Sequence, residues 1–409
     1  MELSTFTLPN GIRVIHQFVQ GAVSHCGIFI NAGSRDEKDS EHGLAHFIEH
    51  VIFKGTKNRS LFQVLNRLED IGADLNAYTS KEETCIYASF LNPYYNRTLE
   101  LISDICLNST FPKKELEKEK VVVIDEIKSY KDTPSDQIFD DFEDLIFAGH
   151  SLGRNILGTP GNVKRFSGKD ILRFMENNYL PGEMVIASVG NIEFKKLVAI
   201  IEKYFSGISV SGKNNNRDFF RNYQPRQKSV TRKIYQTHSI IGTTAYSLTD
   251  EKKYTLAFLN NILGGPAMNS RLSFALREKN GITYHIESNY HAFSDTGIMT
   301  IYFGTDKRFL DKATKLVFKE TEKLRIQKLG VLQLQRAKKQ LIGQLSIGQE
   351  SNVNRMLTIG KSFLTMNYYQ SLEMIVAKIE AITAEQLQDV ANEILDPSRM
   401  SNLIFIQSN

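Results

Sequence analysis

Apolar residues alternate with polar ones, or run unbroken, over residues 11–16, 23–30, 74–79, 84–90 and 184–190. Glycine, proline or polar turn residues bound these stretches, which predicts strands. Between them the apolar spacing changes to three and four. Helices are expected over 44–52, around 61–68, near 94–108 and near 113–131, with Phe111-Pro112 placed to open the last of these. Further helices are expected from about Asp136 to Ala148 and near 194–206, with loop over 149–154. Residues 209–218 are polar and poor in apolar side chains, which predicts a linker near the midpoint.

The second half echoes the first. His25 in 24–28 is matched by His238 in 237–241, and Tyr78 before Thr84-Cys85-Ile86 is matched by Tyr290 before Thr296-Gly297-Ile298. The offsets are 213 and 212, which points to two copies of one α+β unit. The expected division is 1–208, a linker over 209–228, and a second copy over 229–409.

Composition narrows the class. A chain of 409 residues exceeds one ordinary core. Hydrophobic content of 41% and charged content of 23% are those of a globular protein. The net charge of +4, spread along the chain, gives no case for nucleic acid or an anionic membrane surface. Cys26, Cys85 and Cys106 are odd in number and widely spaced, so reduced thiols in a cytoplasm are expected. The N-terminal stretch lacks a basic segment followed by an apolar one, and no run approaches the length of a membrane span. Neither a signal peptide nor a membrane helix is expected.

Candidate chemistry lies in His46-Phe47-Ile48-Glu49-His50. At 100° per residue, Leu44, Phe47, Ile48, Val51 and Ile52 share one side of a helix, and His46, Glu49 and His50 share the other. Histidines four apart can meet on one ion, and an adjacent glutamate can take a proton from its water. The order H-x-x-E-H is the inverse of the common zinc-helix motif. At the 213 offset the second copy has Leu259, Ile262 and Leu263 in these places, so it has no such face. A hydrolytic zinc site needs a third ligand and an open position. Residues 114–127 are rich in acids, and Glu119 and Glu126, two turns apart, share a face. The intervening Val121 to Ile124 predict a partly buried helix. Asp125 is a rival ligand that points about 100° away from Glu126 on an ideal helix.

His46, Glu49 and His50 followed by Glu119 and Glu126 resemble the pitrilysin or insulinase type of zinc peptidase, and the short bacterial processing-peptidase-like members in particular. Residues 31–37, 53–56 and 153–158 resemble it too. The resemblance implies two homologous α/β-roll domains, each an antiparallel-rich sheet flanked by helices. It implies one Zn²⁺ held by His46, His50 and Glu126, with Glu49 as general base and Glu119 orienting a ligand from behind. It places Arg277 and Tyr284, seven residues apart in the second copy, among the catalytic residues; in sequence they sit on a helix stopped by Asn280-Gly281 and on the strand after it. It implies that Asn76, Ala77, Tyr78 and Thr79 form an edge strand that holds an extended peptide, although ordinary sheet remains a simpler role for Thr79. It also implies an enclosed chamber for unfolded peptides, formed by a homodimer or by a heterodimer with a chain of similar size. Other members of the type are non-catalytic core subunits or maturation partners for one precursor peptide.

Overall fold

The computed structural model describes residues 3–208 and 217–408. Its strands are β1 (Leu3–Thr7), β2 (Arg13–Phe18), β3 (Val23–Ile30), β4 (Asp74–Thr79), β5 (Thr84–Leu91), β6 (Met184–Gly190), β7 (Gln227–Arg232), β8 (Thr237–Ala245), β9 (Thr283–Ala292), β10 (Gly297–Thr305) and β11 (Ser401–Gln407). Its helices in the first half are α1 (Leu44–Val51), α2 (Leu61–Glu69), α3 (Tyr95–Asn108), α4 (Lys113–Lys131), α5 (Pro134–Ile146), α6 (Pro160–Arg165), α7 (Gly168–Asn178) and α8 (Phe194–Phe205). The second half adds α9 (Lys253–Gly264), α10 (Leu310–Ile326), α11 (Val331–Gly348), α12 (Asn352–Met366), α13 (Leu372–Ala381) and α14 (Ala384–Ile394).

Each strand and helix expected in the first half is present, and three elements are additional. β1 is rich in Ser and Thr and half exposed, so it lacks an apolar face to announce it. Helix α6 is too short to show an apolar stripe, whereas α7 has one through Ile171 and Phe174, and both carry clear caps. The Thr159 hydroxyl accepts from the Asn162 N–H, and Ser167 and Asp170 form a reciprocal capping box. Residues 209–216 of the expected linker lie outside the described residues. The next ten have no regular structure, and β7 begins at Gln227.

The chain divides into two compact units. In the first, the sheet order is β1-β2-β6-β3-β5-β4, antiparallel except where β2 runs parallel to β6. In the second, the order is β7-β11-β8-β10-β9, again antiparallel except for β7 with β11. Replacing β2, β6, β3, β5 and β4 by β7, β11, β8, β10 and β9 turns one order into the other. The duplicated α+β fold expected from the echoes is therefore present.

The units are not the contiguous stretches 1–208 and 229–409. Residues 129–153 belong to the second unit and 347–371 to the first. Each sheet has two apolar faces, and both need cover. In the first unit one face packs against α1, α3 and α8 through Phe47, Leu99, Ile102 and Leu197. The other face, with Phe29, Val185 and Ala187, is covered by Met356, Ile359 and Leu364 of α12. Contact there is so close that a Cβ on Gly360 would overlap the Phe29 ring. In the second unit α5 plays the same part, burying Ile138, Phe142 and Ile146 with Ile240, Leu403 and Phe405.

Candidate metal centre

Helix α1 is anchored in the core by Leu44, Phe47, Ile48 and Val51, all fully buried. Its opposite side carries His46, which is buried, and Glu49 and His50, which are half-buried. The helix starts at Gly43, whose φ of +95° is the left-handed region that glycine tolerates. A Cβ there would lie 2.7 Å from Gly158 Cα, so the loop ending at Gly158 closes directly on the helix start.

The free N–H groups at that start are taken by Glu37. The Ala45 N–H donates to Glu37 Oε1 at 2.7 Å and the Gly43 N–H to Oε2 at 2.9 Å. Arg154 donates to the Glu37 carbonyl and also pairs with Asp39. Burial pushes the Glu37 carboxyl up to about 8, against the two amide donors and Arg154. Glu37→Ala leaves both amides without this acceptor, which should cost about 1–3 kcal/mol and loosen the helix that carries both histidines. Thermal unfolding and zinc titration of the variant check this, with Glu37→Gln, which keeps one carbonyl oxygen, expected to lose less. Neither Glu37 nor Arg154 is marked by the apolar pattern. Both lie in stretches, 31–37 and 153–158, that resemble the zinc peptidases, but nothing in those stretches marks the contacts they make.

Helix α4 brings the acids. Its buried face runs through Leu116, Glu119, Lys120, Val123 and Ile127. The helix is partly buried, as expected: Val123 is fully buried, while Val121 is 60% and Val122 50% exposed. A helix periodicity of 3.6 turns those two outward when Val123 points in. Glu126 Oε1 lies 3.7 Å from His46 Nε2, and Glu126 Oε2 lies 3.3 Å from His50 Nε2. One ligand atom from each of the three residues lies within 4.8 Å of the other two. The two imidazoles stand edge to face, with centroids 4.7 Å apart. Asp125, the rival ligand, points away and pairs with exposed Lys128 at 2.8 Å.

Glu119 lies behind His50, with Oε1 3.2 Å from Nδ1, and Lys54 holds its other oxygen at 2.7 Å. A carboxylate accepts only, so Nδ1 is assigned the proton and Nε2 keeps its lone pair. That lone pair faces Glu126 Oε2, a buried oxygen that receives no hydrogen bond. Two acceptors this close call for a cation between them. Ligands ~2.0–2.1 Å from a tetrahedral ion sit roughly 3.3–3.5 Å from each other, close to the two distances found. Burial, and after it the neighbouring His50, pulls the His46 pKa down to about 4, which keeps the imidazole in the neutral form a metal needs. The donor set therefore fits zinc.

Strand β4, with Asn76, Ala77, Tyr78 and Thr79, is the last strand of the first sheet and packs beside α1. Leu75 and Ala77 face the core beneath the helices. Tyr78 faces the other side, where its hydroxyl donates to Glu83 at 3.0 Å, and Lys361 pairs with the same carboxylate. The Tyr78 side chain is thus committed to structure. Among the described residues no strand pairs with the outer edge of β4.

Arg277 and Tyr284 belong to the second unit. The expected helix is a wide π coil over Ser273–Glu278, a form frequent at functional positions. Arg277 bonds Glu278 at 2.9 Å, and Tyr284, at the start of β9, is 88% exposed.

A helix with two histidines, an orphaned carboxylate opposite them and a twice-used α+β unit together define a metallopeptidase-like architecture. Comparison with known proteins agrees. Residues 13–160 match the insulinase (peptidase family M16) model, and residues 165–341 match the peptidase M16 inactive domain. The uncharacterized zinc protease YmxG of Bacillus subtilis is 32% identical over 410 residues, covering 100% of this chain and 99% of the relative. An uncharacterized zinc protease of Rickettsia felis is 32% identical over 400 residues, with 97% and 96% covered. Two solved structures share the fold. A protease from Helicobacter pylori has a TM-score of 0.91 at 19% identity, covering 99% of both chains. A peptidase M16 inactive domain from Pseudomonas fluorescens has a TM-score of 0.93 at 18% identity, covering 100% of this chain and 99% of that one. The chain belongs to peptidase family M16, the insulinase family. Zinc is the metal of that family. Among the described residues no helix is long and apolar enough to cross a membrane.

Proposed function

We propose that this chain is a zinc-dependent endopeptidase that hydrolyses unfolded peptides. The observation that carries the reading is the lone-pair face of His50 Nε2 set 3.3 Å from the orphaned Glu126 Oε2, with His46 alongside. His46, His50 and Glu126 would hold the ion, and Glu119, braced by Lys54, fixes the His50 ring. When bound, zinc supplies a Lewis acid that acidifies water and polarises a carbonyl. Glu49, on the same side of α1 and free of any ion pair among the described residues, receives the proton of the attacking water and returns it to the leaving amine.

An extended substrate adds to the open edge of β4 by backbone pairing, beside the helix that bears the ligands. Asn76, Ala77 and Thr79 contribute mainly through their main chain. Tyr284 donates a hydrogen bond to the developing oxyanion, and Arg277 anchors a substrate carbonyl or carboxylate. Tyr284→Phe should lower kcat by about 10²–10³, the loss typical of one oxyanion donor, with zinc content unchanged. An unchanged kcat would leave Tyr284 outside the chemistry. The working form is a homodimer enclosing a chamber in the cytoplasm, where the three buried cysteines stay reduced.

The purified chain, incubated with a mixed pool of unfolded peptides and read by mass spectrometry, should cut internal bonds. A chelator should stop the cutting and added zinc restore it. Full zinc occupancy with no cleavage would instead identify a non-catalytic subunit.

A further inference from the structure

The second copy has lost the zinc ligands: Leu259 and Leu263, which stand where His46 and His50 stand, are fully buried in its core. Helix α9 follows β8 as α1 follows β3, and α11 follows α10 as α4 follows α3. Helices α4 and α11 start at Lys113 and Val331, and α5 and α12 at Pro134 and Asn352, both pairs 218 apart. A cavity of about 270 Å³ opens between α9 and α11. Ile262, which stands where Glu49 stands in the first copy, lines it, and so does Ala337, the counterpart of Glu119. The cavity thus lies beside the filled counterpart of the zinc site.

Its lining contains no acid. Arg271 and Arg336 bring positive charge to it, with the carboxamides of Asn261 and Gln340 nearby. Arg336 has no partner among the described residues. Arg271 is half-buried, and its one counter-charge, Glu320, stands 3.8 Å away. Burial disfavours the Arg271 charge, and Glu320 only partly offsets this. Ser270, 4% exposed and also lining the cavity, has a buried hydroxyl with no hydrogen-bond partner. An orphaned hydroxyl and a half-buried guanidinium with one counter-charge, joined at the rim by exposed Arg336, suit an oxyanion with further acceptors. Leu329 and Ile262 supply an apolar wall for a side chain. The space admits about one or two residues and no more, being below the usual range of drug-sized pockets.

We infer that the second unit carries a binding pocket for the C-terminal carboxylate of a dipeptide-sized ligand, held by Arg271, Arg336 and Ser270 beside the filled counterpart of the zinc site. The pocket does not depend on the hydrolytic reading, since none of its residues belongs to the metal centre.

Calorimetric titration of the zinc-loaded full chain with the dipeptide Gly-Leu tests this. Binding is expected, with C-terminally amidated Gly-Leu at least tenfold weaker. Arg336→Ala, an exposed change that spares the core, should weaken Gly-Leu at least tenfold at constant zinc content, and Ser270→Ala should weaken it less. His46→Ala should bind Gly-Leu as the unmodified chain does, which separates this pocket from the metal centre. Equal affinity for the amide, or an Arg336→Ala variant that binds normally, overturns the inference. So does inorganic phosphate binding as tightly as Gly-Leu, because the pocket would then select oxyanions without reading a peptide.

Discussion

Glu49→Gln leaves about one zinc per chain in place and lowers peptide cleavage by roughly 10²–10⁴-fold, the range a positioned acid–base group contributes. The carboxamide matches the carboxylate in shape, so the α1 core of Phe47, Ile48 and Val51 is untouched. What is lost is the acceptor for a proton. Glu49 stands on the side of α1 that bears both histidines but is outside the ligand cluster, so metal content and activity should separate. Zinc measured by mass spectrometry, beside kcat for a quenched peptide, gives the two readouts. Turnover near that of the unmodified chain would remove Glu49 from the base role.

His46→Ala acts on the metal itself and should abolish both zinc binding and cleavage. It takes one of three donors and leaves Glu126 Oε2 facing a single imidazole nitrogen. Zinc at about a thousand times its dissociation constant stabilises a folded chain by ~4.1 kcal/mol. The unmodified protein should therefore melt at a higher temperature with zinc than with chelator, and the His46→Ala protein should show no difference. Asp125→Ala is the control: its carboxylate pairs with Lys128 in solvent, so zinc content should not change. Normal zinc content in His46→Ala would contradict the ligand assignment.

Much of this site can be read before any fold is known, because its parts obey helical periodicity. His46, Glu49 and His50 separate from Leu44, Phe47, Ile48 and Val51 on spacing alone, and so do Glu119 and Glu126 on α4. The seven-residue spacing could not exclude Asp125 by itself; its side chain had to be seen paired with Lys128. The contacts of Glu37 and Lys54 were not legible, although the stretches that hold them, 31–37 and 53–56, resemble the family. Both side chains reach their partners through turns whose path periodicity does not describe, one to the start of α1 and one to Glu119. Tyr78 shows a second limit. The alternation of β4 places it opposite Ala77, but which face meets solvent depends on α12, a helix from the far end of the chain. The assignment of α5 and α12 to units was hidden for the same reason. Both carry an ordinary apolar stripe, and a stripe does not name the surface it will cover.

That placement of α12 has a consequence for synthesis. The first sheet has all its strands once the ribosome passes Gly190, but its Phe29, Val185 and Ala187 side stays bare until α12, beginning at Asn352, has been made. At ~5–20 residues per second the wait is roughly 8–30 s. Throughout that time the nascent chain displays a broad greasy surface on an otherwise finished sheet, a target that holdase chaperones recognise, and a stall in translation anywhere before Met366 would release an aggregation-prone fragment.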